Sequence, residues 1–325
     1  MTTGSPSSAL QNISRIVVVP RNGYANRLQA WASASVIGHR ADAEVKVLWE
    51  PEATASASPL DLFDSSWFER QSISTKEFID LAGKEHSNLP RYLSTDATRG
   101  IVSLAGHDRG EQALLGQLKE LDQSLSLPQT LIIIAGGRFF VTSEGQANRD
   151  RHSFYGSLKW SLEVKRAVKA ASSDVGPYAA LHIRTTDRSI EAPGSRKIRH
   201  ALRQVREQFP DHSLFICADT SRSRLIWRKE ASNLGFETWS AVAVEYDRSL
   251  PGNGTSAMVD WLLLANADVV IHPRESTFSG EACIAGGTWD VSRPLGAERW
   301  LQSGRHLRRY MRDIATYPRR LLRSS

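Results

Sequence analysis

Short apolar runs alternate with longer amphipathic segments along the whole chain, a rhythm that predicts α/β layers built on parallel sheets. Runs at residues 15–20, 45–49, 130–135, 178–183, 213–218, 236–239 and 269–272 are β-branched or aromatic and short enough to be buried strands. Between them, helical spacing is predicted over residues 26–38, 110–121, 157–171, 197–208, 221–234 and 256–267, with a further helix opening at 276–285. Residues 53–109 carry no clear period and are expected to be irregular, with aromatic islands such as Trp67-Phe68. Ser172-Ser173-Asp174-Val175-Gly176-Pro177 has the composition of a linker. The strand–helix rhythm restarts after it, so two Rossmann-like domains facing a cleft are expected, residues 1–172 and 173–325.

Composition narrows the class. No run approaches the roughly 18 apolar residues of a membrane helix, and the polar start Met1-Thr2-Thr3-Gly4-Ser5 does not read as a secretory leader, which gives a cytoplasmic expectation. Cys217 and Cys283 fall in apolar surroundings and read as buried packing residues, neither a disulfide nor a metal pair. The formal charge is +6, and residues 305–323 carry seven arginines against Asp313 alone, with Leu307, Tyr310, Met311 and Ile314 at helical spacing. Two readings stand for this tail: peripheral contact with the inner face of a membrane, or a terminal helix packed on the body with its basic face in water. Nucleic acid is not expected, since no recognition motif accompanies the charge.

Chemistry concentrates at strand exits, where ligands bind in open α/β sheets. In Tyr178-Ala179-Ala180-Leu181-His182-Ile183-Arg184-Thr185-Thr186-Asp187 an apolar run empties into His182 and Arg184, which share a direction by strand alternation. An imidazole and a guanidinium together suit a phosphorylated ligand carrying a base; a solvated surface turn is the plainer alternative. Gly23-Tyr24-Ala25-Asn26-Arg27 joins a strand to a helix, as a phosphate cradle or as a simple reversal. Ser276-Thr277-Phe278-Ser279 opens a helix after a strand, either to cap it or to present donors to an anion. Asp260 is read just inside its helix, where the dipole alone favours a carboxylate. There is no G-x-G-x-x-G, Walker lysine or G-x-S-x-G elbow, and His182, His200, His212 and His272 are too dispersed for a local metal motif.

In order along the chain, these segments resemble the GDP-fucose-dependent fucosyltransferases of the α1,6 and protein O-fucosyltransferase superfamily, of which the rhizobial nodulation-factor enzyme is the bacterial type. Gly23-Tyr24-Ala25-Asn26-Arg27-Leu28 is similar to the family's N-terminal loop, with Trp49 and Asp61-Leu62-Phe63 placed as in bacterial relatives. His182-Ile183-Arg184-Thr185-Thr186-Asp187 resembles the His-x-Arg-Arg-x-Asp motif, and the segment 260–268 followed by Ser276-Thr277-Phe278-Ser279 resembles the last motif. Residues 71–130 have no counterpart.

The resemblance implies a GT-B fold, GDP-fucose as donor, and inverting transfer without metal or other cofactor to an oligosaccharide, lipid-linked or polysaccharide acceptor. His182 and Asp260 would meet the guanine. Arg184 would bind the diphosphate with Gly23, Ser276 and Thr277; Asn26, Arg27 and Phe278 complete the implied donor site. Thr185 replaces the family's second arginine. The general base is implied a few residues past the motif, Glu191 first and Asp187 second, with Arg184 stabilising the departing charge. Two alternatives remain at this point: another nucleotide sugar, or a non-catalytic sugar-nucleotide or glycan binder of the same fold.

Overall fold

A computed structural model describes residues 13–82, 101–104, 129–139, 144–184, 193–241 and 252–296. It is an α/β chain with two parallel sheets. The first takes β1 (Arg15–Pro20), β2 (Glu44–Val47), β3 (Ile101–Leu104) and β4 (Thr130–Ala135) in the order β2-β1-β4-β3. The second takes β5 (Tyr178–Ile183), β6 (Ser213–Ala218), β7 (Thr238–Trp239), β8 (Val269–Pro273) and β9 (Arg293–Leu295) in the order β7-β6-β5-β8-β9. In each sheet the winding reverses beside the first strand, between β1 and β4 and between β5 and β8. A reversal of this kind opens a crevice at the carboxyl ends of the strands.

The helices are α1 (Tyr24–Ala41), α2 (Pro59–Leu62), α3 (Ser65–Gln71), α4 (Thr75–Ala82), α5 (Glu144–Ser157), α6 (Leu162–Ser172), α7 (Ser195–Gln208), α8 (Ser221–Asn233), α9 (Gly252–Ala265) and α10 (Thr277–Gly286). Four strands, β1, β4, β5 and β6, match their expected bounds because short apolar runs leave little choice of ends. Elsewhere the structure corrects the reading. Part of the stretch expected to be irregular forms α2, α3, α4 and β3, the first two opened by Ser58 and Asp64 side-chain caps. The helical pattern at 157–171 is the end of α5 and all of α6, separated at Ser161, whose hydroxyl caps α6. The helix expected at 110–121 lies outside the described residues.

Strand alternation divides β5 between two cores. Ala179, Leu181 and Ile183 pack with Ile198, Leu202 and Val205 of α7 and Trp227 of α8. Tyr178 and Ala180 face the other way, into a cluster with Met258, Trp261 and Leu264 of α9 and Cys283 of α10. That cluster also holds Ile16 and Val18 of β1 with Leu28 and Trp31 of α1, so one apolar core runs from the second sheet to the first. The opposite face of the first sheet packs Val17, Val19 and Ile132 on Phe78 of α4. Enclosed from two sides, α1 has buried residues around most of its circumference.

Candidate nucleotide-sugar site

The first reversal point is built around a buried arginine. Asn22 adopts the left-handed conformation (φ 68°) and donates from Nδ2 to the Gly136 carbonyl (3.0 Å), tying the exit of β1 to that of β4. Arg27, one turn into α1, is 0% exposed. Its Nε donates to the Asn22 carbonyl (2.9 Å), Nη1 to the Glu50 carbonyl (2.7 Å), and Nη2 lies 3.4 Å from Glu52. Its guanidinium stacks over Trp49 at 5.2 Å. Burial lowers its pKa to about 10, against the opposing pull of Glu52, so it stays charged at neutral pH. In this geometry Arg27 braces the turn from behind through Nε and Nη1, while the buried Nη2 faces Glu52 without a hydrogen-bond partner.

Gly23 opens α1 with extended backbone (φ −67°), a conformation any residue adopts. A Cβ there would meet nothing nearer than the Thr54 carbonyl at 4.0 Å. Neither backbone nor packing demands glycine, and the space before the helix stays open. Nearby, the Asn26 side-chain oxygen is buried without a hydrogen-bond partner. Trp49 and Phe63, two of the aromatic positions noted in the sequence, stack edge-on to Trp31 and hold the loops flanking this turn.

At the second reversal point the penultimate residue of β5 is His182, whose Nδ1 is hydrogen-bonded to Ser279 Oγ at 2.9 Å. Phe278 lies beside the imidazole, with ring centroids 5.5 Å apart. His182 pairs in register with Cys217 of β6, and the Cys217 thiol donates to Asp260 Oδ2 at 3.5 Å. Burial first, and Asp260 second, push that thiol well above its usual pKa, so it remains a donor. Asp260 is 3% exposed. It sits in the third turn of α9, because the helix starts at Gly252 and not near residue 256; the dipole explanation for this carboxylate therefore fails. His182, Phe278, Ser279 and Asp260, three of them proposed from sequence, are thus joined through short contacts. Arg184 follows His182 by two residues and is half-buried.

The third component is the start of α10. Ser276 occupies the N-cap, yet its hydroxyl caps nothing: Oγ is buried and has no hydrogen-bond partner, in a residue only 4% exposed. The first turns of α1, α9 and α10 contain no acidic residue. Their unsatisfied N–H groups and partial positive charge therefore meet no carboxylate from their own helix.

These parts converge. Gln29 Nε2 donates to Glu281 Oε1 at 2.6 Å, joining α1 to α10. With a rise of about 1.5 Å per residue, both helix starts lie within roughly 8 Å of that contact along their axes. The beginning of α9 meets the same place: a Cβ on Gly254 would collide with the Tyr24 hydroxyl and with Ala57, so only glycine permits this approach. Glu281 also accepts from the Tyr155 hydroxyl (2.6 Å) and lies 3.2 Å from Arg151 Nε, while Gln29 Oε1 accepts from the Arg138 backbone (3.0 Å). This network went unread in the sequence. His272, considered there only as a metal ligand, is the penultimate residue of β8, its ring buried and its pKa lowered by burial to about 4. The candidate bases Asp187 and Glu191, with Thr185 and the arginine-rich tail, lie outside the described residues. Among the described residues, no three His, Cys, Asp or Glu side chains gather as a metal site, and no helix is long and apolar enough to cross a membrane.

No family model matches the sequence, and no curated protein matches it either. Solved structures do match. The fucosyltransferase NodZ from Bradyrhizobium superposes with a TM-score of 0.52 at 18% identity, over 83% of this chain and 92% of that one. POFUT1 in complex with GDP-fucose gives 0.55 at 12% identity, over 88% and 98%. A point variant of Arabidopsis thaliana FUT1 in complex with GDP gives 0.56 at 13% identity, over 88% and 73%. This chain shares the fold of those fucosyltransferases. At such identities the likeness is one of architecture, and activity has to be argued from the residues.

Proposed function

We propose that this chain is a glycosyltransferase that moves fucose from GDP-fucose to a hydroxyl of a glycan acceptor. Residues 1–172 and 173–325 form two domains facing a cleft, the second holding most of the donor. One observation carries the reading. The starts of α1, α9 and α10, free of acidic residues, are drawn toward one another by the Gln29–Glu281 bond and the Gly254–Tyr24 approach, with an unpartnered buried Ser276 hydroxyl and open space at Gly23. That arrangement concentrates N–H donors and positive potential on one spot, as a diphosphate requires.

In this reading the guanine lies next to it. Guanine presents an N1–H and N2–H₂ donor edge that matches the Asp260 carboxylate, and His182 and Phe278 supply ring surface and a further hydrogen bond. Arg184, with Ser276, Thr277 and the α10 backbone, takes the diphosphate. In the inverting displacement the acceptor oxygen attacks the fucosyl anomeric carbon, the bond to the diphosphate oxygen breaks, and the acceptor proton passes to Glu191, or to Asp187. Negative charge builds on the departing GDP, where fixed donors and the Arg184 guanidinium stabilise it without a metal. The donor role implied for Arg27 becomes indirect: it holds the Asn22–Gly23 turn in shape.

A melting-temperature panel tests the base and phosphate specificity, since a ligand that binds only the native state stabilises it. GDP should raise the melting temperature more than UDP, CDP or NAD. GDP release from GDP-fucose, with a panel of oligosaccharide and lipid-linked acceptors, then separates an enzyme from a binder. Equal response to all four nucleotides would refute the site, and GDP binding without release under any acceptor would leave a non-catalytic binder.

A further inference from the structure

Helices α7 and α8 lie side by side on the face of the second sheet turned away from α9 and α10, joined by a two-point Arg199–Glu230 ion pair (2.8 and 3.1 Å). Together they hold nine Lys and Arg against two Glu, a net of +7, which exceeds the +6 of the whole chain; everything outside them sums to −1. The charge is therefore concentrated on this one layer among the described residues.

Its outer surface is also partly apolar. α8 buries Arg224, Trp227 and Ala231 against the sheet. On the opposite side, at helical spacing, stand Arg222, Leu225, Ile226 and Lys229. Leu225 is 67% exposed and Ile226 49%. Two branched aliphatic side chains thus project into solvent with a cation one turn to either side. Arg196 and Arg203, both exposed, line the outer side of the neighbouring α7, opposite its buried Ile198, Ala201, Leu202 and Val205.

We propose that this α7–α8 face docks on an anionic lipid bilayer. Cations alone would suit any polyanion, but phosphates of nucleic acid gain nothing from Leu225 and Ile226. A bilayer surface offers both partners at the right depth. Its anionic headgroups meet Arg222, Lys229, Arg196 and Arg203, and the acyl boundary just below takes up the two aliphatic side chains. Docking here is peripheral, it uses residues other than those of the basic 305–323 tail, and it stands independently of the donor site.

The test is co-sedimentation of the full chain with vesicles of phosphatidylcholine alone or with about 30% phosphatidylglycerol, at low and high salt. The wild type should bind only the anionic vesicles and release on raising the salt. L225S/I226S and R222E/K229E should each weaken binding by about tenfold or more while the melting temperature and its response to GDP stay at wild-type values. Two results overturn the proposal. Wild-type failure to bind anionic vesicles is one. The other is unchanged binding by either variant pair: if both pairs are silent the adhesion belongs to residues 305–323, and if only L225S/I226S is silent, with nucleic acid competing equally well, the face is a general polyanion site.

Discussion

Glu281 of α10 and Gln29 of α1 are 252 residues apart in sequence and share a buried 2.6 Å hydrogen bond, which ties the helix starts of the two reversal points to each other. The same carboxylate holds Tyr155 and faces Arg151, and burial followed by Glu281 raises the Tyr155 hydroxyl well above its usual pKa, so that proton stays in place to be donated. Removing Glu281 leaves an arginine charge in the interior. Glu281→Ala should therefore cost about 3–5 kcal/mol of unfolding free energy. Glu281→Gln keeps most hydrogen bonds and should cost less. Urea unfolding of both variants against wild type measures this, and wild-type stability in both would show that the Glu281 contacts do not hold the helices together.

Gly23 separates a ligand requirement from a folding one. Its backbone is permissible for alanine and the added Cβ has room, so Gly23→Ala should leave the unfolding free energy within about 1 kcal/mol of wild type. A diphosphate seated against the start of α1 would nevertheless meet that methyl group. GDP affinity by calorimetry should fall by about tenfold, near 1.4 kcal/mol. Unchanged affinity would move the phosphates away from this helix.

His272 gives the fold a definite pH response. Its pKa is lowered by burial to about 4 from the ordinary 6.5. Between those values the unfolded chain binds a proton that the native chain refuses, so stability is present above pH 6.5 and falls as the pH drops toward 4. Acidification from pH 7 to pH 5 should remove about 2 kcal/mol through this residue alone. His272→Phe should be flatter over that interval by the same amount when urea midpoints are compared. Parallel curves for the two proteins would mean that the imidazole titrates normally.

What the sequence made legible follows from how local each signal is. β4, β5 and β6 stood out because unbroken apolar runs bury both faces of a parallel strand. β9, three residues with a central proline, carries no such signal and is held by its place beside β8. His182 and Ser276 could be proposed because each sits at or just after a strand exit, whereas Asp260 came from the family resemblance, its place beside Cys217 depending on the fold. That Arg27 would be held by the Asn22 and Glu50 carbonyls was not legible, since those acceptors depend on how the loops fold. Glu281 was invisible for the same reason. In Ser279-Gly280-Glu281-Ala282 it reads as a solvated helix position, and its partners arrive from more than a hundred residues away.

Arg184 is where fold and chemistry meet. It leaves β5 two residues beyond His182, and His182 is itself bonded to Ser279 in the first turn of the helix that Ser276 opens. Thr185 follows it where the family resemblance implies a second cation, so in the proposed reaction one guanidinium would carry a larger share of the charge that develops on the leaving diphosphate. That charge is greater at the transition state than in bound GDP-fucose, and the loss should appear in turnover more than in donor affinity. Arg184→Ala should lower kcat by about 10²–10³, or roughly 3–4 kcal/mol of stabilisation, with a smaller change in KM for GDP-fucose. Arg184→Lys should recover only part, because an ammonium cannot reproduce the two-point guanidinium contact. Steady-state GDP release with the best acceptor reads both parameters. An alanine variant that turns over at the wild-type rate would remove Arg184 from the reaction and with it the metal-free route for stabilising GDP.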